Sequence, residues 1–329
     1  MHLKTYTVRF QDSSRTVSKP FRLYIRQAAL KRFFLLIPVI LGVTLLIFFV
    51  LDLSPGDPAR LALGEMAPQE SIDRWRVERG LNDPFFVRYF RYVGNMIKGD
   101  LGRSYFNNRD VFREVIQRFP ITIELALGGM LIAILVGIPL GTISALKQYS
   151  FIDGLATVLG MLGIAMPSFW FGLMMIMFFS LRLGWLPSQG LSGFKGFIMP
   201  CFAVGISCAA NIMRMTRSAM LEVVRTDFVR TAKAKGLTPR EIVNKHEIRN
   251  VLIPVVTIAG LQFGSMMAGS VVIEAVFSLP GVGSFMISAI KGKDIPAVMG
   301  SITCFCIAFS FVNLLVDFVY GIIDPRIKA

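Results

Sequence analysis

The sequence predicts an all-α protein that crosses a membrane six times. Hydrophobic residues make up 54% of its 329 residues and charged residues only 17%, whereas charged residues average about 25% in soluble domains. The apolar residues are gathered into six separate runs that carry few or no charges. A helix of about twenty apolar residues is long enough to cross the hydrocarbon core of a bilayer. Composition and clustering together therefore indicate a polytopic membrane protein.

The predicted spans follow one another along the chain with polar segments between them. They comprise residues 33–51, 125–146, 154–181, 196–213, 251–273 and 295–316. The third run is longer than one straight span needs, and Pro167 lies in its middle. Because proline disturbs a helix that continues through it, this run predicts either one kinked, tilted helix or two parts broken at Pro167.

The distribution of charge predicts how these spans are oriented. Residues 1–32 carry eight Lys or Arg and a single acid, whereas residues 52–118 carry 11 basic and 10 acidic residues. Positive residues accumulate on the cytoplasmic side of membrane proteins. We therefore expect residues 1–32 inside and residues 52–118 outside, as a structured external segment. The remainder, residues 119–329, holds spans two to six, and six crossings return the C-terminus to the cytoplasm.

The net charge of +14 has two interpretations. In a soluble protein it would suggest a nucleic-acid partner, but in a membrane protein it follows from the Lys and Arg of cytoplasmic loops. We therefore expect the lipid bilayer as a partner and no nucleic acid. The four cysteines all lie within apolar runs, so their arrangement predicts neither a disulfide framework nor a zinc site.

A basic stretch between spans four and five, residues 223–250, predicts a helix–turn–helix elbow. The first helix is expected to end at Gly236, because glycine readily takes the left-handed conformation that closes a helix. The second begins at Thr238, whose hydroxyl can cap free backbone N–H groups, with Pro239 at the first helical position. Glu241 can reach back to the cap. Since a membrane span adjoins each end, the elbow suits docking on another protein better than binding DNA.

The same stretch carries a family resemblance. Its signature residues are Thr231, Ala232, Lys233, Ala234, Lys235, Gly236 and Leu237, followed by His246, Arg249 and Asn250. This loop resembles the cytoplasmic signature loop of ATP-binding-cassette importer permeases, in the form of the dipeptide, oligopeptide and nickel branch. The general signature has Glu-Ala-Ala where this chain has Arg230-Thr231-Ala232. Further likenesses to that branch lie, in the correct order, at residues 80–84, 88–89, 99–104, 274–283 and 324–326.

The resemblance implies the type I importer permease fold, with residues 221–250 as a coupling loop that sits in a cleft of an ATPase subunit. It also implies two cytoplasmic ATPases, which would bind ATP and Mg, an external solute-binding protein, and a second, homologous permease. The chain itself would bind no cofactor and would lie in a bacterial or archaeal cytoplasmic membrane. The expected substrates are di- or oligopeptides, with nickel or another small solute as the alternative.

Neither a catalytic nor a metal site is predicted. The chain has no Gly-x-x-x-x-Gly-Lys loop followed by Ser or Thr, which would cradle phosphates, so we expect it not to hydrolyse ATP by itself. Its two histidines, His2 and His246, are far apart in the sequence. An ion-coupled secondary carrier would need an ion site in mid-span, and a membrane enzyme would need a nucleophile and base at that depth. The elbow favours an ATP-driven importer over both.

The candidate translocation and gate residues lie in and after span five. They are Gln262, Glu274, Pro280, Gly281 and Gly283. An ionisable residue near a span is by default a functional candidate, and the Gly-rich turn beside it can change conformation. Glu274 stands at the calculated end of the span. A solvated position at the interface and a role in lining the path therefore both remain open.

Overall fold

The computed structural model describes residues 19–190 and 193–323, with side chains within 34–190, 193–252 and 254–316. Apart from one isolated β-bridge, the regular structure of the described residues is helical. The helices are α1 (Lys19–Leu53), α2 (Pro58–Leu63), α3 (Gln69–Glu78), α4 (Phe85–Ile97), α5 (Val111–Leu146), α6 (Phe151–Ala165), α7 (Ser168–Met175), α8 (Phe194–Val223), α9 (Asp227–Ala234), α10 (Pro239–Ile242), α11 (Ile248–Val276), α12 (Val282–Gly292) and α13 (Ile295–Ile323). Stretches of π-helix, Ile176–Arg182 and Val243–Glu247, continue α7 and α10.

Within the described residues, five helices are long and apolar enough to cross a membrane. Their apolar parts are Phe34–Leu53, Val111–Leu146, Phe194–Val223, Pro254–Val276 and Ile295–Val316. A sixth crossing can be formed by α6 together with residues 168–182, two pieces bent by 105° where they meet. Of the two forms predicted for the third span, the structure therefore has the broken one. Met166 is extended there, with ψ 126°, as expected of a residue that precedes proline.

The second span is part of a helix that begins earlier than predicted. Hydropathy places its start at residue 125, whereas α5 begins at Val111. Asp110 caps this extension by accepting a hydrogen bond of 2.9 Å from the Arg113 N–H. Glu114 then pairs with Arg118 one turn further on. Hydropathy marks only the lipid-facing part of a helix, so an extension stabilised by a cap and ion pairs escaped it.

The segment between α1 and α5 folds into three short helices with a small core. Ala59, Ile72 and Trp75 are buried in that core, and Trp75 packs edge-on against Tyr105 with ring centroids 5.2 Å apart. This core thus joins residues from the beginning and from the end of the segment. The prediction that this stretch is structured, rather than a bare connector, is confirmed.

The turn between α12 and α13 attaches this segment to the membrane helices. Lys293 donates from its Nζ to the carbonyl oxygens of Ser54 and Gly56, just beyond α1. The buried Asp294 accepts a 2.5 Å hydrogen bond from Ser104 Oγ. Burial raises the pKa of the Asp294 carboxyl, and the Ser104 hydrogen bond acts in the opposite direction. Two adjacent charged side chains therefore fasten both ends of the segment.

Helices α5 and α8 pack with their backbones in contact. A Cβ placed on Gly137 would lie 2.7 Å from the carbonyl oxygen of Ala209, and one on Gly205 would lie 2.6 Å from that of Gly129. Side chains do not approach backbone so closely, so this contact requires glycine at both positions. Gly141 meets α8 in the same way, one turn after Gly137. Gly137 and Gly141 thus form a small-xxx-small pattern that joins α5 to α8.

The elbow is continuous with the helices on either side. Helix α8 runs on from span four to Val223. On the other side α10, the π-helix and α11 form one unbroken helix from Pro239 to Val276, here called the helical rod. Residues 1–18 of the predicted cytoplasmic segment, and the C-terminal family likeness at residues 324–326, lie outside the described residues.

Candidate functional site

The elbow is held together by a small apolar cluster. Helix α9 buries Val229 and Ala232 against Ile242 of α10, and Val223 and Leu237 pack at the edges. The cluster joins the end of α8, the short helix α9 and the start of the helical rod. A force on α9 is therefore transmitted to the rod through packed side chains as well as through the chain itself.

Two local devices fix the angle of the elbow. Gly236 has φ +77°, and its N–H donates to the carbonyl oxygen of Lys233 at 3.0 Å. Thr238 Oγ1 accepts from the Glu241 N–H at 3.4 Å, and Glu241 Oε2 accepts from the Thr238 N–H at 3.1 Å. The hydrogen bonds from Thr238 hold the pKa of the Glu241 carboxyl below its usual range. The predicted glycine terminus and capping box are thus confirmed.

The second candidate region lies at the other end of the rod, around Glu274. This side chain is completely buried, with 0% of its surface exposed. Its Oε1 accepts a 2.7 Å hydrogen bond from Thr122 of α5, and its Oε2 accepts from the N–H groups of Gly283 and Ser284 at 2.7 and 3.1 Å. A carboxylate is stabilised at the N-terminus of a helix by such N–H groups. The carboxylate therefore ties α5, α11 and the start of α12 together.

Of the two positions considered for Glu274 from the sequence, the solvated one is wrong. Helix α11 continues past Glu274 to Val276, so the span end that hydropathy gives, residue 273, is not the end of the helix. Gly281 and Gly283 lie directly against the carboxylate, and a Cβ on Gly283 would come within 2.9 Å of Oε2. Both positions therefore require glycine, because a side chain at either one would collide with the carboxylate. Pro280 beside them is exposed.

Gln262 is not part of this cluster. It lies twelve residues before Glu274 on the same rod, roughly 18 Å away at 1.5 Å per residue, and its side chain is partly exposed. The structure therefore brings Glu274, Gly281 and Gly283 together and leaves Gln262 apart. Within residues 19–190 and 193–323, no three His, Cys, Asp or Glu side chains are grouped so that they could hold a metal ion.

Two family models together match most of the chain. Residues 137–329 match the family described as "Binding-protein-dependent transport system inner membrane component". Residues 24–126 match the N-terminal region of such membrane components. The chain belongs to this family of permeases. The larger match contains both the elbow and the Glu274 cluster, and the smaller one contains α1 to α4.

Curated relatives cover the permease almost from end to end. It is 38% identical to the dipeptide transport system permease protein DppB of Alkalihalophilus pseudofirmus, over 91% of this chain and 98% of that protein. It is 40% identical to the di/tripeptide transport system permease protein DppB of Pseudomonas aeruginosa, with 91% and 97% covered. It is 37% identical to the glutathione transport system permease protein GsiC of Escherichia coli K12, with 91% and 98% covered.

Solved structures share the fold of the permease at much lower identity. A chain of the MetNI methionine ABC transporter, in an inward-facing conformation, aligns with a TM-score of 0.56 at 17% identity. The alignment covers 64% of this chain and 96% of that chain. The all-helical architecture predicted from the sequence is therefore that of an ABC importer permease.

The signature residues of the permease point in two directions. Thr231, Lys233, Ala234 and Lys235 are exposed, whereas Ala232 is only 5% exposed and packs inside the elbow. From the sequence we placed both alanines at the surface that meets an ATPase. The structure corrects this for Ala232, because the helical period places Val229 and Ala232, three residues apart, on the face of α9 that packs against Ile242. Ala234 is the small residue on the outer surface.

Sequence analysis missed Glu247, the most unusual side chain of the elbow. It is 2% exposed, and its Oε2 has no hydrogen-bond partner among the described residues. Burial raises the pKa of this carboxyl, and the positive charge of Lys233 partly offsets that effect. Glu247 precedes the buried Val251 and Val255 by four and eight residues. Helical periodicity alone could therefore have placed it on the buried face.

Proposed function

We propose that the permease forms half of an ATP-driven pore that imports di- or oligopeptides. The observation that carries the proposal is the elbow, a structured basic unit with an exposed outer surface and a direct connection to a helix that reaches the Glu274 cluster. The substrate class is supported by the relatives, because those described above are named as transporters of dipeptides, di- and tripeptides, and glutathione. All of these are short peptides.

Family membership supports the following proposed partners. Two cytoplasmic ATPases, which bind ATP and Mg, dock on the outer surfaces of two elbows. One elbow belongs to this permease and the other to a second, homologous permease that completes the pore. An external binding protein delivers the peptide. The exposed residues of α9 and of the turn after it, among them Thr231, Lys233, Ala234 and Lys235, form the docking surface of this chain.

The helical rod is the element that transmits the motion. It extends from the elbow at Pro239 to Val276, on the order of 55 Å at 1.5 Å per residue. When ATP closes the two ATPases on each other, the elbows follow them and the rods tilt. The spans then open outward to accept the peptide, and hydrolysis restores the inward-facing state. The π-helix at Val243–Glu247 lies where the rod leaves the elbow, a position at which some bending is tolerated.

Glu274 connects this motion to the outer gate. Because its carboxylate holds the first N–H groups of α12, a displacement of the rod carries α12 with it. Pro280, Gly281 and Gly283 form the turn between rod and α12. Glu274 is in this view a positioning residue for the gate and does not touch the peptide.

The orientation of the chain can be tested by labelling. In a variant without the four native cysteines, a cysteine at Glu70 is expected to react with a membrane-impermeant maleimide added to intact cells. A cysteine at Thr238 is expected to react only after the membrane is opened. Both positions are exposed, so accessibility within the fold does not limit the reaction. Labelling of Thr238 in intact cells would contradict the cytoplasmic elbow.

The substrate class can be tested by uptake. Cells that lack other peptide transporters, and that express the permease with its partner subunits, are expected to accumulate radiolabelled di- or tripeptide at least tenfold over cells without the permease. Radioactive nickel should not accumulate. The control is the same system with ATPases that cannot hydrolyse ATP. Nickel uptake without peptide uptake would favour the small-solute alternative, and uptake driven by an ion gradient alone would favour a secondary carrier.

A further inference from the structure

A groove of about 590 Å³ runs between α6 and α8 on the elbow side of the protein. Its walls come from residues of α6 between Thr157 and Ile164, residues of α8 between Ala210 and Glu222, and Arg225 in the turn after α8. The stretch of α8 alone is roughly 18 Å long at 1.5 Å per residue. That is more than half the thickness of a hydrocarbon core, which is about 30 Å. The groove can therefore accommodate a ligand that extends from mid-membrane to the membrane surface.

The end of the groove toward mid-membrane is apolar. Its lining there comprises Gly160, Met161 and Ile164 of α6 with Ala210 and Met213 of α8. After Thr157, α6 carries no charged or hydroxyl side chain up to its end at Ala165. Many of its apolar side chains face outward, Met161 with 64% of its surface exposed. This end suits a hydrocarbon chain and would repel a polar solute.

The end toward the elbow is basic. Arg214 and Arg217 of α8 and Arg225 of the turn after it line this end, together with Ser218 and a single acid, Glu222. Arg217 is neutralised by the buried Asp153, with Nε and Nη2 donating at 2.8 and 2.9 Å. Counting Asp153, three arginines therefore face two carboxylates, which leaves one net positive charge.

The other two arginines are available to a ligand. Within the part of the chain that the structure describes, the Arg214 side chain donates one hydrogen bond, to the side-chain oxygen of Asn211 at 3.1 Å. Arg225 has no ion pair or hydrogen bond from its side chain among the described residues, and it is exposed. Guanidinium groups bind phosphate oxygens through paired N–H donors. A single phosphodiester would neutralise the remaining charge.

We propose that this groove binds an anionic phospholipid of the leaflet on the elbow side. Its phosphate is bound by Arg214 and Arg225, and one acyl chain lies along Met161, Ile164 and Ala210. Basic pockets between membrane helices on the cytoplasmic side bind anionic headgroups in this way. The order of the chemistry along α8, apolar toward mid-membrane and basic toward the surface, matches the order within a phospholipid molecule.

The experiment measures lipid binding to the full-length permease, purified with its partner subunits in a neutral detergent. Native mass spectrometry follows titration with phosphatidylglycerol and, separately, with phosphatidylcholine. One molecule of phosphatidylglycerol per chain is expected to bind at least tenfold more tightly than phosphatidylcholine. The double variant Arg214→Gln/Arg225→Gln is expected to lose this preference. Both side chains are exposed, so the variant should fold, and Arg217 is left unchanged because it pairs with Asp153.

The control is the double variant Lys147→Gln/Lys195→Gln, which removes two exposed positive charges outside the groove and should bind phosphatidylglycerol as the original protein does. Equal affinity for the two lipids, or unchanged binding by the arginine variant, would overturn the proposal. Displacement of the lipid by glycerol 3-phosphate or inorganic phosphate would indicate a site for free anions instead. A cysteine at Thr157 that cross-links to the second permease would show that another protein fills the groove.

Discussion

Replacement of Gly236 by valine is expected to reduce peptide uptake at least tenfold while leaving the permease in the membrane. Gly236 has φ +77°, where a side chain costs roughly 1–2 kcal/mol and a β-branched one is especially disfavoured. No atom lies within 4 Å of the position that a Cβ would take, so the cost is backbone strain and not a clash. The elbow relieves this strain by changing its angle, and α9 no longer fits the ATPase. Co-purification of the ATPase and uptake into vesicles measure the effect.

Matched variants separate strain from other causes. Gly236→Asn should retain most of the activity, because asparagine tolerates the left-handed conformation. Ala234→Trp places bulk on the outer surface of α9 and should prevent docking of the ATPase with the elbow intact. Ala232→Trp should disrupt the elbow itself, because that residue is buried beside Ile242. Lys235→Ala should have only a small effect on uptake, since an ion pair between this exposed lysine and the ATPase would contribute little to binding. Normal assembly and uptake in both Gly236→Val and Ala234→Trp would contradict the coupling role.

Removal of the Glu274 carboxylate should also reduce peptide uptake at least tenfold, by releasing α12 and not by changing the elbow. In Glu274→Ala, the Thr122 hydroxyl and the N–H groups of Gly283 and Ser284 lose their acceptor inside the protein. Each unpaired buried donor costs about 1–3 kcal/mol. The expected results are a clearly lower Tm and loss of uptake, because α12 is no longer fastened to the rod.

Glu274→Gln distinguishes hydrogen bonding from charge. The amide oxygen can still accept from Gly283 and Ser284, and its NH2 group can donate to Thr122 Oγ1. The fold and the docking of the ATPase should therefore be preserved, while uptake changes because the charge at the start of α12 is gone. Ser270→Ala is the control, since Ser270 Oγ approaches the carboxylate only to 3.5 Å. Unchanged uptake by Glu274→Gln would mean that the carboxylate serves only to hold the structure.

Local chemistry explains why the elbow was predictable and the Glu274 cluster was not. The glycine terminus and the capping box depend on residues within three positions of one another, so their geometry follows from the sequence around Thr238. The environment of Glu274 depends on Thr122, which lies far away in the chain and on another helix. Hydropathy could not show that contact. It ended the span at residue 273, just before Glu274, and missed that the protein, and not water, surrounds the carboxylate.

The orientation of side chains within a short helix was a further limit. Ala232 and Ala234 are the same residue type. They differ only in the face of α9 on which they lie, since Ala232 faces Ile242 and Ala234 does not. The third span was undecided for a similar reason. Pro167 is compatible with a kink or with a break, and packing of the flanking helices selects between them. The structure has the break, with two pieces at 105°.

The contact between α5 and α8 has a mechanical consequence. Where two helices touch through glycine backbone, there are no flexible side chains between them to take up sliding or rotation. The pair is therefore expected to move as one rigid body throughout the transport cycle. Bending is expected instead at the interruption between α6 and α7 and at the π-helix near the elbow. The α5–α8 pair would then be a rigid unit with a flexible joint on each side. The proposed ATPase contact would move the joint at the π-helix, and the joint between α6 and α7 would bend in response.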